Sequence, residues 1–261
     1  MKTTKFTISV LIIILSSSFL VSCDKDEDTN NNTSETRCYI KTTKTKEGTN
    51  EYTYTDNLLS LFSIFDTNHV SLGHSTLSYS NQILSEINSF DKDGNRIENI
   101  TTEITNGKIT RFNHSKYHTN GSIDKSDYYV CTYNTNNKIS RIDYYNLSDS
   151  LKSYNEYNWD TDNLHERKSY RIVDSTFVLD YTVTYTYDNK NNPLYNIGIN
   201  LFLSDVISKN NSTRSVFVYS GTPSISTDYT YEYTSKSYPL KLTITSSNNY
   251  IREQEYTYSC D

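Results

Sequence analysis

The chain has 261 residues with 31 acidic and 25 basic side chains, which give a net charge of −6 and a mean hydropathy of −0.70. The negative balance, without a basic patch, argues against nucleic acid as a partner. The length suits one large domain or two small ones, and no apolar stretch beyond the N-terminal segment approaches the length of a membrane span.

The N-terminal segment, residues 1–22, has the features of a signal peptide. Lys2 and Lys5 give a positive start, and residues 6–20 form an apolar core shorter than the roughly 20 residues that a membrane span needs. Because the segment carries two lysines and no acidic residue, its removal changes the net charge from −6 to −8.

The sequence LVSC, residues 20–23, resembles a lipobox, the signal at which bacterial lipoproteins are acylated on the cysteine and cut just before it. We therefore predict that Cys23 is lipidated and that this lipid anchors the chain in a membrane. The alternative is ordinary secretory cleavage, in which Cys23 has no role.

Residues 23–37 form the next predicted element, an acidic and polar tether. The segment contains almost no apolar side chain, so it cannot bury enough surface to offset chain entropy, and we expect it to be flexible. Lys25, Asp26 and Glu27 resemble the acidic export signal of surface-displayed lipoproteins in the Bacteroidetes. This favours an outer-membrane protein exposed at the cell surface; the alternative is a generic linker facing the periplasm.

Residues 38–261 are predicted to form a single domain, because one phrase recurs through them. The copy YTYDNKNNPLYN, residues 185–196, shows the pattern of alternating aromatic residues, a short polar run and an apolar restart. Alternation predicts a strand, and Asn, Asp and Gly predict a turn, so each copy reads as a hairpin. Copies start at Tyr52, Leu77, Asn88, Ser115, Cys131, Asn155, Tyr185, Tyr231 and Tyr256.

The predicted fold is all-β: a long antiparallel meander of roughly 14 to 18 strands, curled into a barrel-like or half-barrel sheet. The 25 tyrosines suggest a thin sheet with two partly solvated faces, in which rings pack across strands and hydroxyls stay in water. Both faces of the predicted strands mix polar and apolar side chains, and no apolar belt that could face lipid is present. Insertion of the sheet into a membrane is therefore not predicted.

Two apolar stretches depart from the alternation, and we predict that they form short helical segments or buried loops that plug or cap the sheet. The first lies in residues 56–66 and the second in residues 196–207. Their apolar residues fall at helical spacing. These residues are Leu58, Leu61, Phe62, Phe65, Ile199, Phe202, Leu203 and Val206.

Three segments of the last third carry a resemblance to a family of Bacteroidetes lipoproteins of unknown function. They are YTYDNKNNPLYNIGINLFL (residues 185–203), SKNNSTR (208–214) and YEYTSKSYPLKLT (231–243). The resemblance implies a lipidated chain with a porin-like, barrel-like antiparallel fold and no established activity. FDKDGNRI, residues 90–97, is more weakly similar to the YD repeats of Rhs-type shells. Neither resemblance supplies catalytic residues.

The cysteines left after Cys23 are odd in number, so they cannot all pair within the chain. Cys38 and Cys260 lie at the two ends of the domain, and they can be bridged if the first and last strands are neighbours. The alternative is three buried free thiols, including Cys131.

No motif for a metal, a cofactor or catalysis stands out, and none of these is predicted. His114 and His118 share one face of a strand about 13 Å apart, too far for one metal ion, and are interpreted as surface polar residues. The aromatic stripe is interpreted as structural, although tyrosine-rich faces can stack sugar rings. The candidate ligand platform consists of Tyr157, Trp159, Tyr185 and Tyr187.

The leading functional hypothesis is a lipid-anchored envelope protein that acts as a non-catalytic binding or structural module at the cell surface. Its partners would be the membrane, through the N-terminal lipid, and a glycan or another envelope protein. One alternative is a glycan-binding accessory protein of a polysaccharide-uptake system. Another is a hydrolase whose site is assembled from distant strands, with two carboxylates about 5 to 10 Å apart.

Overall fold

The computed structural model describes residues 38–195, 208–220, 222, 224–248 and 250–260. Every strand in this part of the chain belongs to one antiparallel sheet. The strands are β1 (Cys38–Thr45), β2 (Gly48–Thr55), β3 (Leu58–Asp66), β4 (Ser71–Ser80), β5 (Ile83–Asp91), β6 (Arg96–Thr105), β7 (Lys108–Tyr117), β8 (Ile123–Tyr133), β9 (Ile139–Asn146), β10 (Leu151–Asp160), β11 (Asn163–Val173), β12 (Thr176–Asn191), β13 (Asn210–Tyr219), β14 (Ile225–Tyr233), β15 (Pro239–Ser246) and β16 (Ile251–Cys260).

The sheet is a closed barrel, because each strand pairs with its neighbour in the chain and β1 pairs with β16. At this seam Cys38 lies opposite Cys260 in register, and the two are joined by a disulfide. The predicted all-β antiparallel meander is confirmed, and the sixteen strands fall within the predicted number. Closure removes the exposed sheet edges that would pair with other chains.

The helical segment predicted in residues 56–66 is wrong, because Leu58–Asp66 is strand β3. Thr53 pairs with Leu61 and Tyr54 with Leu59, so Ser60 is an extra residue in the ladder. Such a bulge shifts the inward positions by one residue and gives the apolar side chains a spacing of three and then two. That spacing resembles a helical pattern. The second predicted helical segment lies outside the described residues, and no helix that could span a membrane occurs in the described part.

The barrel has two ends of different construction. The disulfide end holds Cys38, Cys260 and the connections β2–β3, β4–β5, β6–β7, β8–β9, β10–β11, β12–β13 and β14–β15. The distal end holds the other eight connections, from β1–β2 to β15–β16. Strands of about ten residues place the two ends roughly 33 Å apart.

Asparagine and aspartate occur in most of the described turns, as the sequence predicts. In the β2–β3 turn Asp56 and Asn57 both have positive φ, at 51° and 64°, which is the conformation of a two-residue hairpin turn. In the β5–β6 turn the Asp91 carboxylate accepts the backbone N–H groups of Asp93 and Asn95 at 2.9 and 2.8 Å. Gly94 then takes a φ of 81°, so this turn needs a residue that tolerates the left-handed region.

Candidate functional site

All seven connections at the disulfide end share an irregularity in the strand ladder. At β4–β5, Ser78 lies opposite Glu86 and Tyr79 opposite Leu84, so Ser85 is left without a partner in the ladder. Each of the seven hairpins has one such extra residue near the start of its return strand. The extra residues are Ser60, Ser85, Thr110, Ser140, His165, Thr213 and Leu240.

Aromatic side chains donate hydrogen bonds to backbone carbonyls beside these bulges, from one hairpin to the preceding one. We call this set the aromatic ladder. Its bonds run from Tyr79 to Leu59 at 2.9 Å, Tyr133 to Ile109 at 2.8 Å, Trp159 to Ile139 at 2.7 Å, Tyr187 to Leu164 at 2.7 Å, Tyr231 to Ser212 at 2.9 Å and Tyr258 to Pro239 at 2.7 Å.

One position of the ladder shows what the bond is for. Ile104 occupies the place on β6 that Tyr79 occupies on β4, and isoleucine cannot donate. The carbonyl of Leu84 is nevertheless satisfied, because the Thr102 hydroxyl donates to it at 2.6 Å. A buried carbonyl left by a bulge is costly without a donor, and for each of the seven bulges the next strand supplies one. This requirement accounts for the recurring phrase in the sequence.

The ladder corrects the expectation that the tyrosine hydroxyls stay in water. The ladder rings pack against two apolar clusters inside the barrel, and the tyrosine hydroxyls among them bond to the backbone there. Burial raises the pKa of Tyr79 and Tyr133 well above the usual range of tyrosine. Toward the disulfide end, the inward face of the sheet is therefore an apolar core.

The four residues of the candidate ligand platform all face this interior. Tyr157 and Tyr185 belong to the buried apolar cluster, and Tyr185 is only 3% exposed. Trp159 and Tyr187 pack against the same cluster and are engaged in the aromatic ladder. The structure therefore does not present these four rings as an exposed surface to a ligand.

On the outer face, tyrosines stack on each other across strands. Tyr154 and Tyr170 lie 4.5 Å apart at 17°, and the Arg141 guanidinium lies 3.7 Å from the centre of the Tyr154 ring. A second group has the same form, with Tyr128 stacked on Tyr145 and covered by Arg111. The faces of the central rings are thus already occupied by a tyrosine and a guanidinium.

A charged cluster lies inside the barrel, toward the distal end, on β6, β7 and β8. The two ring nitrogens of His114 contact Glu98 at 2.6 Å and Asp127 at 2.8 Å. Lys125 and the Tyr144 hydroxyl also contact the Asp127 carboxylate, at 2.9 and 3.2 Å. The side chain of His114 is 12% exposed and that of Asp127 is 1% exposed. His114 is therefore not a surface residue as predicted, whereas His118 lies in an exposed contact with an aspartate.

The charged cluster holds His114 as an imidazolium. Burial alone would lower the pKa of His114, but hydrogen bonds and charges from Asp127 and Glu98 outweigh burial and raise it to about 9. Burial would raise the pKa of Asp127, but bonds from His114 and Lys125 lower it. Both ring nitrogens are engaged, so the imidazole offers no lone pair to a metal or a substrate. No group suited to a metal ion occurs among the described residues.

The remaining predicted site residues concern cysteine and the N-terminal segment. Cys131 is a buried free thiol whose pKa is raised to about 12, first by burial and then by the Asp143 charge, so it stays protonated. Cys23, Lys25, Asp26 and Glu27 precede the described residues, and their roles stay predictions.

The interior of the disulfide half carries buried apolar side chains. Those from β3 to β12 form one cluster, and members of the aromatic ladder pack against it or against a second cluster around Ile40. Sixteen-stranded porins leave an aqueous channel at their centre, and this packing has no counterpart in such a channel. A recess of about 730 Å³ lies at the distal end, lined by Arg171, Val178, Leu179, Asp180, Tyr219, Ser220, Thr222 and Ile225.

Solved structures share this architecture at low sequence identity. A porin-like protein from Bacteroides uniformis ATCC 8492 superposes with a TM-score of 0.56 at 14% identity, over 84% of this chain and 96% of its own. A porin-like protein from Bacteroides vulgatus ATCC 8482 gives 0.53 at 12% identity, over 85% and 99%. The TcdB2–TccC3 complex gives 0.33 over 14% of its length, too little to support a conclusion.

No protein-family model and no curated protein matches the sequence. The structural neighbours therefore establish the fold alone, which is the porin-like antiparallel barrel that the resemblance implies. They do not establish lipidation, location or activity.

Proposed function

We propose that this chain is a non-catalytic, non-conducting barrel module of the bacterial cell envelope, attached by a lipid on Cys23. The observation that carries the proposal is a closed sixteen-stranded barrel whose disulfide half holds a buried apolar cluster. Its porin-like neighbours support an envelope protein that is not an enzyme. An apolar, buried cluster on the inner face supports a structural or docking body rather than a water-filled pore.

The outer wall of the barrel supports a body that stands outside the bilayer. Ion pairs lie on it at intervals around the sheet, and charged side chains facing acyl chains are costly at the bilayer midplane. The pairs are Glu103–Arg111, Arg141–Asp143, Glu166–Lys168, Arg214–Asp228 and Lys241–Glu253.

The lipid anchor is tested with Cys23→Ala, compared with Cys131→Ala as the matched control. Metabolic labelling with a fatty acid and membrane fractionation should show that Cys23→Ala loses the label and its stable attachment. Cys131→Ala should keep both, because Cys131 is buried in the core. A fatty-acid label that survives Cys23→Ala would contradict the lipid anchor.

The position on the cell surface has a separate test. We propose that Lys25, Asp26 and Glu27 direct export to the outer face. Replacing all three with alanine should make the protein resistant to protease added to intact cells while leaving it lipidated. Equal digestion of the parent and the variant would contradict a role of these three residues in export.

The absence of conduction is tested in planar bilayers. The purified protein should produce no stepwise current at concentrations that give channels with a true porin. Reproducible single-channel steps would contradict a non-conducting barrel and would leave the proposal of a lipid anchor unaffected.

A further inference from the structure

Among the described residues, most of the exposed large apolar side chains lie at one end of the barrel. Thirteen are exposed in this part of the chain, and twelve of them lie at the distal end. Of the thirteen, Leu240 alone lies at the disulfide end. We call the twelve the apolar rim: Val70, Leu72, Ile123, Leu147, Ile172, Val178, Leu179, Val218, Tyr219, Ile225, Tyr250 and Ile251.

The apolar rim runs most of the way around the barrel mouth. Six of the eight distal connections, or the strand ends beside them, carry at least one member. Leu147, in the β9–β10 turn, is 70% exposed, and Ile123 and Ile251 begin their strands with more than half of their surface in water. Single exposed apolar residues are ordinary, but a set gathered at one end of a protein marks an interaction surface.

The charged groups at this end largely neutralise one another. The tips of the two connections without apolar members hold the pairs Lys46–Glu47 and Lys92–Asp93, at 3.7 and 2.6 Å. Within the recess Arg171 pairs with Asp180 at 2.7 Å. Paired charges leave little net attraction for a strongly anionic or cationic partner, so the rim suits an electrically neutral surface.

We propose that the apolar rim is a membrane-contact surface that sits on a neutral, zwitterionic lipid interface. A ring of turn tips around the end of a barrel meets a flat surface at many points at once. Aliphatic and aromatic side chains can enter the boundary between headgroups and acyl chains, while the ion pairs remain at headgroup level. The barrel would stand on the membrane by this end without crossing it.

This contact is independent of the lipid on Cys23, and the chain length permits both at once. The 15 peptide steps from Cys23 to Cys38 can span at most roughly 50 Å. That reach exceeds the strand length of about 33 Å, so a lipid in the same membrane can be linked to the disulfide end above it.

The test uses the chain from Asp24 to Asp261, which contains every described strand and cannot be acylated at Cys23. It is mixed with phosphatidylcholine vesicles and separated by flotation. The parent chain should float with the vesicles. The double variant Leu147→Asp/Ile251→Asp should bind at least tenfold more weakly, because two charges would enter the interface.

Leu240→Asp is the matched control, since Leu240 is 45% exposed at the opposite end. It should bind vesicles as the parent does, and thermal melts should show that all variants fold. Failure of the parent to float, or equal loss in the control, would overturn the proposal. So would a vesicle-independent dimer, detected by light scattering and abolished by the double variant, because the rim would then be covered by a second copy.

Discussion

The two ends of the barrel solve the same problem in different ways. Both must join strands without leaving buried polar groups unpaired. The disulfide end uses neutral donors: bulges release carbonyls, and the aromatic ladder satisfies them. The interior near the distal end uses charge, with His114 held between Glu98 and Asp127. Neutral bonds lose little when the pH changes, whereas a buried imidazolium makes the stability of its region depend on pH.

The disulfide between β1 and β16 is expected to make the largest single contribution to the free energy of unfolding. The bond between Cys38 and Cys260 spans 222 residues, and a loop of that length restricts the unfolded chain strongly. Replacing both cysteines with serine should lower the free energy of unfolding by about 4 kcal/mol in urea. The barrel should still close, because β1 and β16 remain paired by backbone hydrogen bonds.

A reducing agent should destabilise the parent chain by a similar amount and leave the double serine variant unchanged. Cys131→Ala serves as the control for loss of a thiol. If the double variant were as stable as Cys131→Ala, the disulfide would contribute nothing measurable, and strand pairing alone would hold β1 against β16.

The charged cluster should give the next largest effect. His114→Gln leaves Glu98 and Asp127 buried without their shared cation, at a cost of about 3 kcal/mol. In the parent chain the pKa of His114 is raised from 6.5 to about 9, so folding binds the proton more tightly. Its contribution is complete below pH 6.5 and is lost as the pH rises through 9. Urea denaturation at several pH values should show this decline in the parent and not in His114→Gln.

His118→Gln is the control, because His118 is more than half exposed and contacts only an exposed aspartate. It should keep the decline of the parent. If His114→Gln also loses stability as the pH rises, another group causes the decline, and the charged cluster is not the source of the pH dependence.

The sequence predicts the repeating frame of the barrel better than its interior chemistry. Alternating aromatics identify strands and Asn or Asp runs identify turns, because both follow from local backbone preferences. Bulges escape this reading, since one extra residue changes which side chains face inward. Residues 56–66 look helical for that reason.

The charged cluster shows a second limit of sequence reading. Glu98, His114 and Asp127 come from three strands, and nothing local marks them as partners. A signal does exist once the strands are known: each lies two residues from an inward apolar or aromatic side chain, at Ile100, Phe112 and Tyr129. The four residues of the candidate ligand platform show a third limit. Alternation predicts that they share a face of the sheet, but it does not predict whether that face is the inside of a closed barrel.

The aromatic ladder should give the smallest effects, spread over many positions. Tyr133→Phe removes only the hydroxyl that donates to the Ile109 carbonyl, and should cost about 1.5 kcal/mol because that buried carbonyl loses its donor. Tyr250→Phe, at a tyrosine that is 49% exposed on the apolar rim, should change stability by less than about 0.5 kcal/mol.

The hairpin that lacks an aromatic residue offers the most specific test of this explanation. Thr102→Val should cost about 1.5 kcal/mol, because the Leu84 carbonyl then has no donor. Adding Ile104→Tyr should recover most of that loss, since position 104 corresponds to Tyr79 in the preceding hairpin. Ile104→Tyr alone should recover nothing, as the threonine already satisfies the carbonyl. If the double variant is no more stable than Thr102→Val, the tyrosines contribute by ring packing, and the recurring phrase has another cause.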